Sequence, residues 1–379
     1  MNIPNLFIMA VAIMLSIVAS QRKNKMLGFA GLGVLALLLV AAPFISENKA
    51  PLIPIFILGL GAVGWNIIGG YTGYAAFGQV AFYGLGAYTV VLFGSKSRTP
   101  LPANSLSSIQ DQTIGWSLPI AFILAAVIPA IIALLIGLPV LKLKGHYFAI
   151  ATLGIAVATP QVIANIGCIG GTDQNPGFCL GLGTGLTMRP LPDDKEANLT
   201  QLYFLGLIAM TLAVFLLWYI SRNKFGYGLF AIRENEEAAS VMGVNTALFK
   251  NAAFVLAAAL TGLAGAIQAM LQIQVAPNED SIFNTSTSLY VIVICLLGGV
   301  GTVWGPFIGT FIFAFIREVL ENMPKWFNNK GLIEWRDVIF GLIVVLMVLF
   351  LPKGIMQLVG NKGRFTWKIF LRNIRENSI

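Results

Sequence analysis

The chain of 379 residues is 57% hydrophobic and only 11% charged, with a net charge of +8 and a mean hydropathy of +0.82. Soluble domains carry about 25% charged residues, so this composition excludes a soluble globular protein. Residues 51–94 contain no Asp, Glu, Lys or Arg, and a membrane-spanning helix needs about 20 apolar residues. The apolar runs are continuous rather than alternating, which argues against a β-barrel. The sequence predicts an all-α polytopic membrane protein.

The apolar runs predict about ten to eleven transmembrane helices. With the C-terminus in the cytoplasm, the inner segments hold 15 of the 24 basic residues, as the positive-inside rule expects. We therefore expect an N-out, C-in arrangement, in which the positive charge marks cytoplasmic loops and not nucleic-acid binding. The first run lacks preceding basic residues and is expected to be a retained anchor. The predicted spans are 5–20, 27–44, 52–69, 75–94, 115–141, 146–165, 201–220, 252–273, 286–298, 303–321 and 337–352.

Three regions follow from these spans. Residues 1–50 form peripheral N-terminal helices, residues 51–355 form the main transmembrane domain, and residues 356–379 form a basic cytoplasmic tail. Two long connections interrupt the main domain. Segment 166–200 lies on the outer side and segment 221–251 on the cytoplasmic side. We expect the basic, mildly amphipathic tail to lie on the membrane surface.

The uncharged run 51–94 is dense in glycine from Gly69 onwards. Glycine lets helices approach closely, or lets a helix break where it lines a cavity. Gln79 lies inside this run, and a polar side chain in lipid is unfavourable unless it has a function or a partner. Gly78 and Gln79 are therefore candidates for a translocation path. A hydrogen bond between helices is the alternative interpretation of Gln79.

One histidine and three cysteines provide no metal-binding set. Cys168 and Cys179 both lie in segment 166–200. In an oxidising compartment they could form a disulfide, and two unpaired thiols remain the alternative because spacing alone gives no geometry. Cys295 lies in an apolar run and is expected to be a packing residue. The glycines of segment 166–200 favour an ordered lid or docking surface, with a solvated linker as the alternative.

The central segment 221–251 holds a dense polar cluster between the uncharged runs 197–221 and 251–278. Asn235 can cap a short helix at its N-terminus, and Gly243 can end it in a left-handed conformation. The small residues Ala238 and Ala239 leave room for a partner between these caps. This helix suits docking into another protein, and a simple connector between spans is the alternative.

Two further features follow in the chain. Gln268 and Gln272 are four residues apart on one helix face, where they could line a polar path or bond to a neighbouring helix. Gly301, Gly305 and Gly309 repeat every four residues. This repeat predicts a ridge of small residues for close helix packing.

Several chemical motifs are absent. The sequence has no G-x-x-x-x-G-K-[ST] phosphate loop, no H-E-x-x-H and no G-x-S-x-G. The spans also contain almost no ionisable residues, which ion-coupled carriers bury along their paths. An intramembrane enzyme and an ion-driven carrier are therefore disfavoured. Two classes of membrane protein remain possible: a passive channel, and a permease driven by a separate ATPase.

The residues of the central segment carry a family resemblance. Glu237-Ala238-Ala239, three residues and then Gly243 resemble the EAA–glycine loop of ABC-importer permeases, without that motif's Ile-x-Leu-Pro ending. Together with the glycine run after Gly69 and the block 298–309, the chain resembles LivM-type permeases of branched-chain amino acid importers over residues 55–355. Ala76-Phe77-Gly78-Gln79 departs from the family's common Ser-Leu-Gly-His, and the outer loop Thr172–Phe178 also differs from the common pattern. These departures leave the exact substrate open.

The resemblance implies a subunit without an ATPase site or bound cofactor, in a bacterial plasma membrane. Its expected partners are a homologous permease subunit, two cytoplasmic ATPase subunits that use ATP, and an extracytoplasmic substrate-binding protein. The implied substrates are neutral or hydrophobic amino acids, with urea or short amides as the alternative. A stand-alone carrier or channel is a further alternative. The resemblance assigns ATPase coupling to Arg233, Glu234, Asn235, Glu237, Ala238, Ala239 and Gly243.

Overall fold

The computed structural model describes most of the main domain. The predicted spans 5–20 and 337–352 and the tail 356–379 lie wholly or largely outside the described residues. The described residues are 11–12, 25–45, 49–94, 118–143, 145–165, 168–169, 178–179, 186–187, 195–272, 274–277, 282–326, 338–339, 341–342, 345 and 354–356.

Helices dominate this part of the chain. A 3₁₀ turn (Ala50–Leu52) leads into the second helix, and a π-helical segment (Asn66–Gly70) follows it. The helices are α1 (Lys25–Ile45), α2 (Ile53–Trp65), α3 (Gln79–Gly94), α4 (Leu118–Val140), α5 (His146–Asn165), α6 (Lys195–Arg222), α7 (Lys224–Glu234), α8 (Glu236–Val241), α9 (Thr246–Gln272), α10 (Thr285–Gly298) and α11 (Gly305–Trp326).

Five described helical stretches are long and apolar enough to cross a membrane. Three shorter apolar helices accompany them, over Gly33–Ile45, Gln79–Gly94 and Thr285–Gly298. These helices confirm the all-α polytopic fold. The five long stretches are Ala50–Gly70, Pro119–Val140, His146–Asn165, Asn198–Arg222 and Thr246–Gln272.

Helix α9 lies at the centre and packs against α2, α3 and α4. The contact with α3 is a contact between backbones. A methyl group added at Gly265 would overlap the carbonyl oxygen of Tyr83, and one added at Gly86 would overlap the backbone of Gly262. Close approach of this kind is how helices associate in lipid, where the hydrophobic effect gives little drive.

The glycine repeat before and within α11 is only partly a helix ridge. Gly305 and Gly309 pack closely, since a Cβ at either would overlap the carbonyl oxygen of Gly299 or Ile294 respectively. Gly301 instead lies in the turn between α10 and α11, with φ +78. The predicted three-residue ridge is therefore wrong at Gly301, because left-handed backbone at this position interrupts the helix. The helix begins at Gly305.

Short strands form part of the segment between α5 and α6. Strand β1 (Cys168–Ile169) pairs antiparallel with β2 (Phe178–Cys179), and Cys168 lies directly opposite Cys179. The third cysteine, Cys295, is fully buried on α10, where its Sγ lies 3.1 Å from the carbonyl oxygen of Ala62. The packing role predicted for Cys295 is confirmed.

The predicted outer segments meet at one end of the molecule. Strand β3 (Leu186–Thr187) pairs antiparallel with β4 (Gln274–Val275), which follows α9. At the same end, Lys49 Nζ donates a hydrogen bond of 2.9 Å to Thr200 Oγ1. These contacts join parts of the chain that the sequence assigns to the outer side. We call this end the outer end.

The predicted cytoplasmic segments meet at the opposite, inner end. Arg233 Nη1 donates to the carbonyl oxygen of Gly70 at 2.8 Å, and Lys250 Nζ donates to that of Leu141 at 3.1 Å. We call the cluster formed by residues 66–74, 141–143, 145, 232–237, 250 and 299–302 the inner junction. The inner and outer contacts together follow the alternation of segments predicted from the sequence.

Candidate coupling site at the inner junction

The N-terminus of α8 forms because its sequence supplies a cap. Asn235 has an extended backbone (φ −160, ψ 109), and its side-chain oxygen accepts a hydrogen bond of 3.0 Å from the Ala238 N–H. Glu236 and Glu237 occupy the first turn, where carboxylates interact favourably with the positive end of the helix dipole. The predicted N-cap is confirmed.

The C-terminus of α8 is closed by Gly243, whose φ is +87. The Val244 N–H donates to the Ala239 carbonyl oxygen across this turn, at 3.0 Å. The predicted left-handed ending is confirmed. Segment 221–251 nevertheless contains more helix than expected, because α7 runs almost directly into α8 and α9 begins at Thr246.

The two alanines of α8 face different surroundings. Ala239 is only 5% exposed and packs inside the chain, whereas Ala238 is exposed. The expectation that both alanines face a partner is therefore wrong for Ala239. Val241 and Met242 are 87% and 84% exposed, and they lie three and four residues after Ala238, on the same side. Ala238, Val241 and Met242 form an uncharged surface that we call the exposed patch.

Lys250 holds α8 against the membrane part of the chain. Its side chain is 5% exposed, and its Nζ lies 2.6 Å from Glu236 Oε1. The same ammonium group donates to the carbonyl oxygen of Leu141 and to the Tyr74 hydroxyl, each at 3.1 Å. One buried cation thus joins α8, α9, the end of α4 and the turn before α3.

Tyr74 completes this ion pair. Its hydroxyl donates to Glu236 Oε2, and Lys250 Nζ lies 4.7 Å from the centre of its ring. Burial raises the pKa of the Tyr74 hydroxyl, and the hydrogen bond and charge of Glu236 raise it further. The hydroxyl therefore keeps its proton and remains a donor. Both oxygens of the Glu236 carboxylate have a donor, which a partly buried charge requires.

A second set of contacts fixes the neighbouring turn between α10 and α11. Asn66, fully buried, donates to the carbonyl oxygen of Thr302 at 3.0 Å and accepts from the Gly301 N–H at 2.8 Å. Arg233, which reaches Gly70, lies against Gly301, where a Cβ would overlap its guanidinium. The glycine therefore leaves the space that Arg233 occupies.

A polar cavity of about 440 Å³ lies beside these contacts. It lies between α8 and the turn before α3, beside the Tyr74–Glu236 hydrogen bond, and its walls carry both positive and negative side chains. Glu234 and Glu237 are exposed at the same end of the molecule. The cavity is lined by Thr72, Gly73, Tyr74, Gly145, Ile232, Arg233, Asn235, Glu236 and Glu237.

Gln79 is 1% exposed, at the start of α3. Its Oε1 accepts a hydrogen bond of 2.7 Å from Thr261 on α9, while its Nε2 has no partner within the described part of the chain. Gly78 lies against the backbone of Thr152, which a Cβ would approach to 2.6 Å. Gln79 therefore makes the inter-helix contact that was its alternative interpretation, and it keeps one unpaired donor.

Gln268 and Gln272 lie farther along α9, towards the outer end. Gln268 is partly buried and Gln272 is exposed. About 10 Å of helix separates Gln268 from Thr261, the partner of Gln79. The structure therefore does not bring the four candidate path residues together at one place.

Sequence reasoning missed four residues of the inner junction: Asn66, Tyr74, Glu236 as an ion-pair partner, and Lys250. Two of them carried a usable signal. Lys250 is the last charged residue before the uncharged run 251–278, and Asn66 is a polar residue inside the uncharged run 51–94. Such positions are unfavourable without partners, so they mark buried contacts.

Comparison with known proteins gives a consistent result. A model of the family "branched-chain amino acid transport system / permease component" matches residues 51–348. The chain is 29% identical over 345 residues to the high-affinity branched-chain amino acid transport system permease protein LivM of Escherichia coli (strain K12), covering 86% of this chain and 74% of that protein. LivM of Salmonella typhimurium is 28% identical over 352 residues, with the same coverage.

A relative that is named for a different substrate also matches. The autoinducer 2 import system permease protein LsrC of Yersinia pseudotuberculosis is 28% identical over 258 residues, covering 65% of this chain and 67% of that protein. No solved structure matches. The family match covers most of the chain and agrees with its apolar helices. The chain is thus a multi-pass protein of the bacterial plasma membrane and belongs to the family of branched-chain amino acid transport system permease components.

Proposed function

We propose that this chain is the permease subunit of an ATP-driven importer of branched-chain or other neutral amino acids. The observation that carries the coupling role is the placement of α8. The helix presents an exposed patch at the inner end, while Lys250 and Glu236 fix its inward side to the membrane helices. A helix that is exposed on one side and firmly anchored on the other can pass a partner's movement to the spans.

We assign the inner end to the cytoplasm, where the basic residues concentrate. The partner at α8 is a cytoplasmic ATPase subunit, and two such subunits serve a pair of homologous permeases. An extracytoplasmic binding protein delivers the substrate at the outer end. Arg233, Glu234, Asn235, Glu237, Ala238 and Gly243 belong to the coupling surface, and Val241 and Met242 extend it. Large exposed apolar side chains outside the spans are typical of protein interfaces.

Ala239 has a supporting role in this proposal. It lies on the inward side of α8 and sets how closely the helix packs against the rest of the chain, and it does not touch the ATPase. The path for the substrate runs through a membrane domain whose spans are nearly free of charge. Such a path suits a zwitterion with an apolar side chain. Gln79, Gly78, Gln268 and Gln272 remain candidates to line it at different depths.

The amino-acid assignment is supported by the relatives with the longest matches among those described above. The two LivM proteins match over 86% of this chain, whereas LsrC matches over 65%. The chain departs from the common family pattern at residues 76–79 and 172–178, so an uptake experiment must decide which neutral solute it carries. Leucine and alanine are the expected substrates.

Reconstitution in proteoliposomes tests the function. The chain alone should give no ATP-dependent uptake, whereas the chain with its homologous permease, the two ATPase subunits and the binding protein should accumulate labelled leucine or alanine. Urea and autoinducer 2 serve as competing substrates in parallel samples. Accumulation by the single chain would overturn the assignment in favour of a stand-alone carrier. Uptake of urea or autoinducer 2 alone would overturn the substrate class and leave the ATP-driven mechanism in place.

A further inference from the structure

The two cysteines of the outer segment lie opposite each other in a β-ladder. Cys168 in β1 pairs with Cys179 in β2, in antiparallel register. Opposed residues of an antiparallel pair have Cα atoms about 4.5 or 5.5 Å apart, depending on which kind of pair they form. A disulfide needs Cα atoms about 4.4–6.8 Å apart. Both kinds of pair meet this requirement, which the sequence alone could not establish.

We propose that Cys168 and Cys179 form an intramolecular disulfide at the outer end of the protein. This modification goes beyond the transport role. It rests on the proposed orientation in one respect, because the extracytoplasmic side is oxidising while the cytoplasm keeps thiols reduced.

The position of the third cysteine decides which two cysteines can form the disulfide. The chain has three cysteines. Cys295 is fully buried on α10, in contact with the carbonyl oxygen of Ala62. Its thiol is enclosed between α10 and α2, so it takes no part in a bridge at the outer end. Cys168 and Cys179 are left as the single possible pair within the chain.

The bridge forms by oxidation of two thiols. Each cysteine loses its S–H hydrogen, one S–S bond forms, and two protons and two electrons leave the pair. The electrons pass to the disulfide of an extracytoplasmic thiol oxidase, which is reduced to a dithiol through a mixed-disulfide intermediate. The protein needs no oxidant of its own.

The bridge closes the segment 169–178. This segment contains Gly170, Gly171 and Gly177 and the pair Asn175-Pro176, with few apolar side chains that could order it by packing. A cross-link reduces the number of conformations open to such a chain before folding. The disulfide would therefore hold the connection between α5 and α6 in a defined shape at the side where the binding protein delivers substrate.

Counting thiols tests the bridge directly. Cells are quenched in acid to trap the native thiol state, and the denatured full-length protein is alkylated with a polyethylene-glycol maleimide that adds a resolvable mass per thiol. We expect one label before reduction, on Cys295, and three labels after reduction, since the chain has three cysteines. Cys168→Ser should give two labels before reduction. Cys295→Ala should give none before reduction and two after it.

Two results would overturn the proposal. Three labels without reductant would show that both outer cysteines are free thiols. A dimer on a non-reducing gel that disappears in Cys168→Ser would show a bridge between two chains. The thiol count is independent of uptake. Three labels with normal leucine uptake would overturn only the disulfide proposal. One label with no uptake by the complete complex would overturn only the transport proposal.

Discussion

Two regions of the molecule hold helices together by different means. One is the contact between α3 and α9, and the other is the inner junction. Between α3 and α9, glycine backbones touch at Gly86 and Gly265 without any charged group. At the inner junction, contact depends on side chains: Lys250 with Glu236, and Arg233 with the backbone of Gly70. In the α3–α9 contact, the two helix surfaces fit each other in shape. In the inner junction, the side chains fit each other in charge and in hydrogen bonding.

The difference reflects the surroundings of each region. Lipid tails are as apolar as the helix surfaces, so association inside the membrane depends on close packing. Near the membrane surface, charged groups can pair while one side stays close to water, which lowers the penalty for burial. Changes in the glycine contact should therefore prevent folding. Changes at the inner junction should leave a folded protein that couples poorly.

The largest effect is expected from Gly265→Leu. The side chain would overlap the backbone at Tyr83, and overpacking that the backbone cannot relieve costs on the order of 3 kcal/mol or more. Folded protein in the membrane should nearly disappear, as measured by fluorescence-detected size exclusion. Gly154→Leu is the matched control, because Gly154 is an exposed helical glycine with open space around it. Equal amounts of both variants would show that the glycine contact is not required.

Lys250→Met should have the next largest effect. It leaves the Glu236 carboxylate without its cation. The carboxylate is 21% exposed, so we expect a loss of about 2 kcal/mol, less than for a fully buried pair. Thermal stability should fall and uptake should drop about tenfold, while membrane insertion is retained. Lys250→Met combined with Glu236→Gln should recover much of the stability. A double variant as unstable as the sum of both single variants would show that the two residues act independently.

The two alanines of α8 give a matched pair of variants. Ala239→Leu overfills a buried site and should lower stability by about 1–3 kcal/mol. Ala238→Leu adds a side chain at the surface, so stability should be unchanged, while ATPase binding in a pull-down should weaken. A pull-down that is normal for Ala238→Leu and for a Met242→Asp variant would contradict docking at the exposed patch.

Gly243→Val should cost about 1–2 kcal/mol, because a β-branched residue is strained at φ +87. The effect should be local and should reduce ATPase association and uptake together. Gly154→Val is the control outside the inner junction, since Gly154 is an exposed helical glycine with open space around it. We expect it to keep ATPase binding. Full ATPase binding and full uptake in Gly243→Val would show that the loop is only a connector.

A small effect on stability is also expected from Gln79→Leu. Its Nε2 is unpaired among the described residues, and Thr261 keeps a second acceptor in the carbonyl oxygen of Ala257. The change in stability should stay below about 1 kcal/mol. If Gln79 lines the path, leucine uptake should fall while the complex assembles normally. Failed assembly would instead identify the hydrogen bond with Thr261 as its role.

Several properties followed from the sequence because they depend on local chemistry. Continuous apolar runs predict spanning helices wherever the environment is lipid, and nine of the predicted spans match helices in the described part of the chain. The cap at Asn235 and the ending at Gly243 also followed, since each depends on one side chain or one backbone conformation.

Only the tertiary structure decided which side of each helix is buried against the rest of the chain and which side is exposed. Ala238 and Ala239 are neighbours of identical chemistry, and helix rotation alone exposes one and buries the other. Glu236 and Lys250 were visible as charges, yet their pairing with Tyr74 requires that the turn before α3 fold back onto α9. The register that places Cys168 opposite Cys179 likewise depends on how the chain returns between α5 and α6. Periodicity along a sequence determines elements, whereas contacts between distant residues depend on how those elements pack.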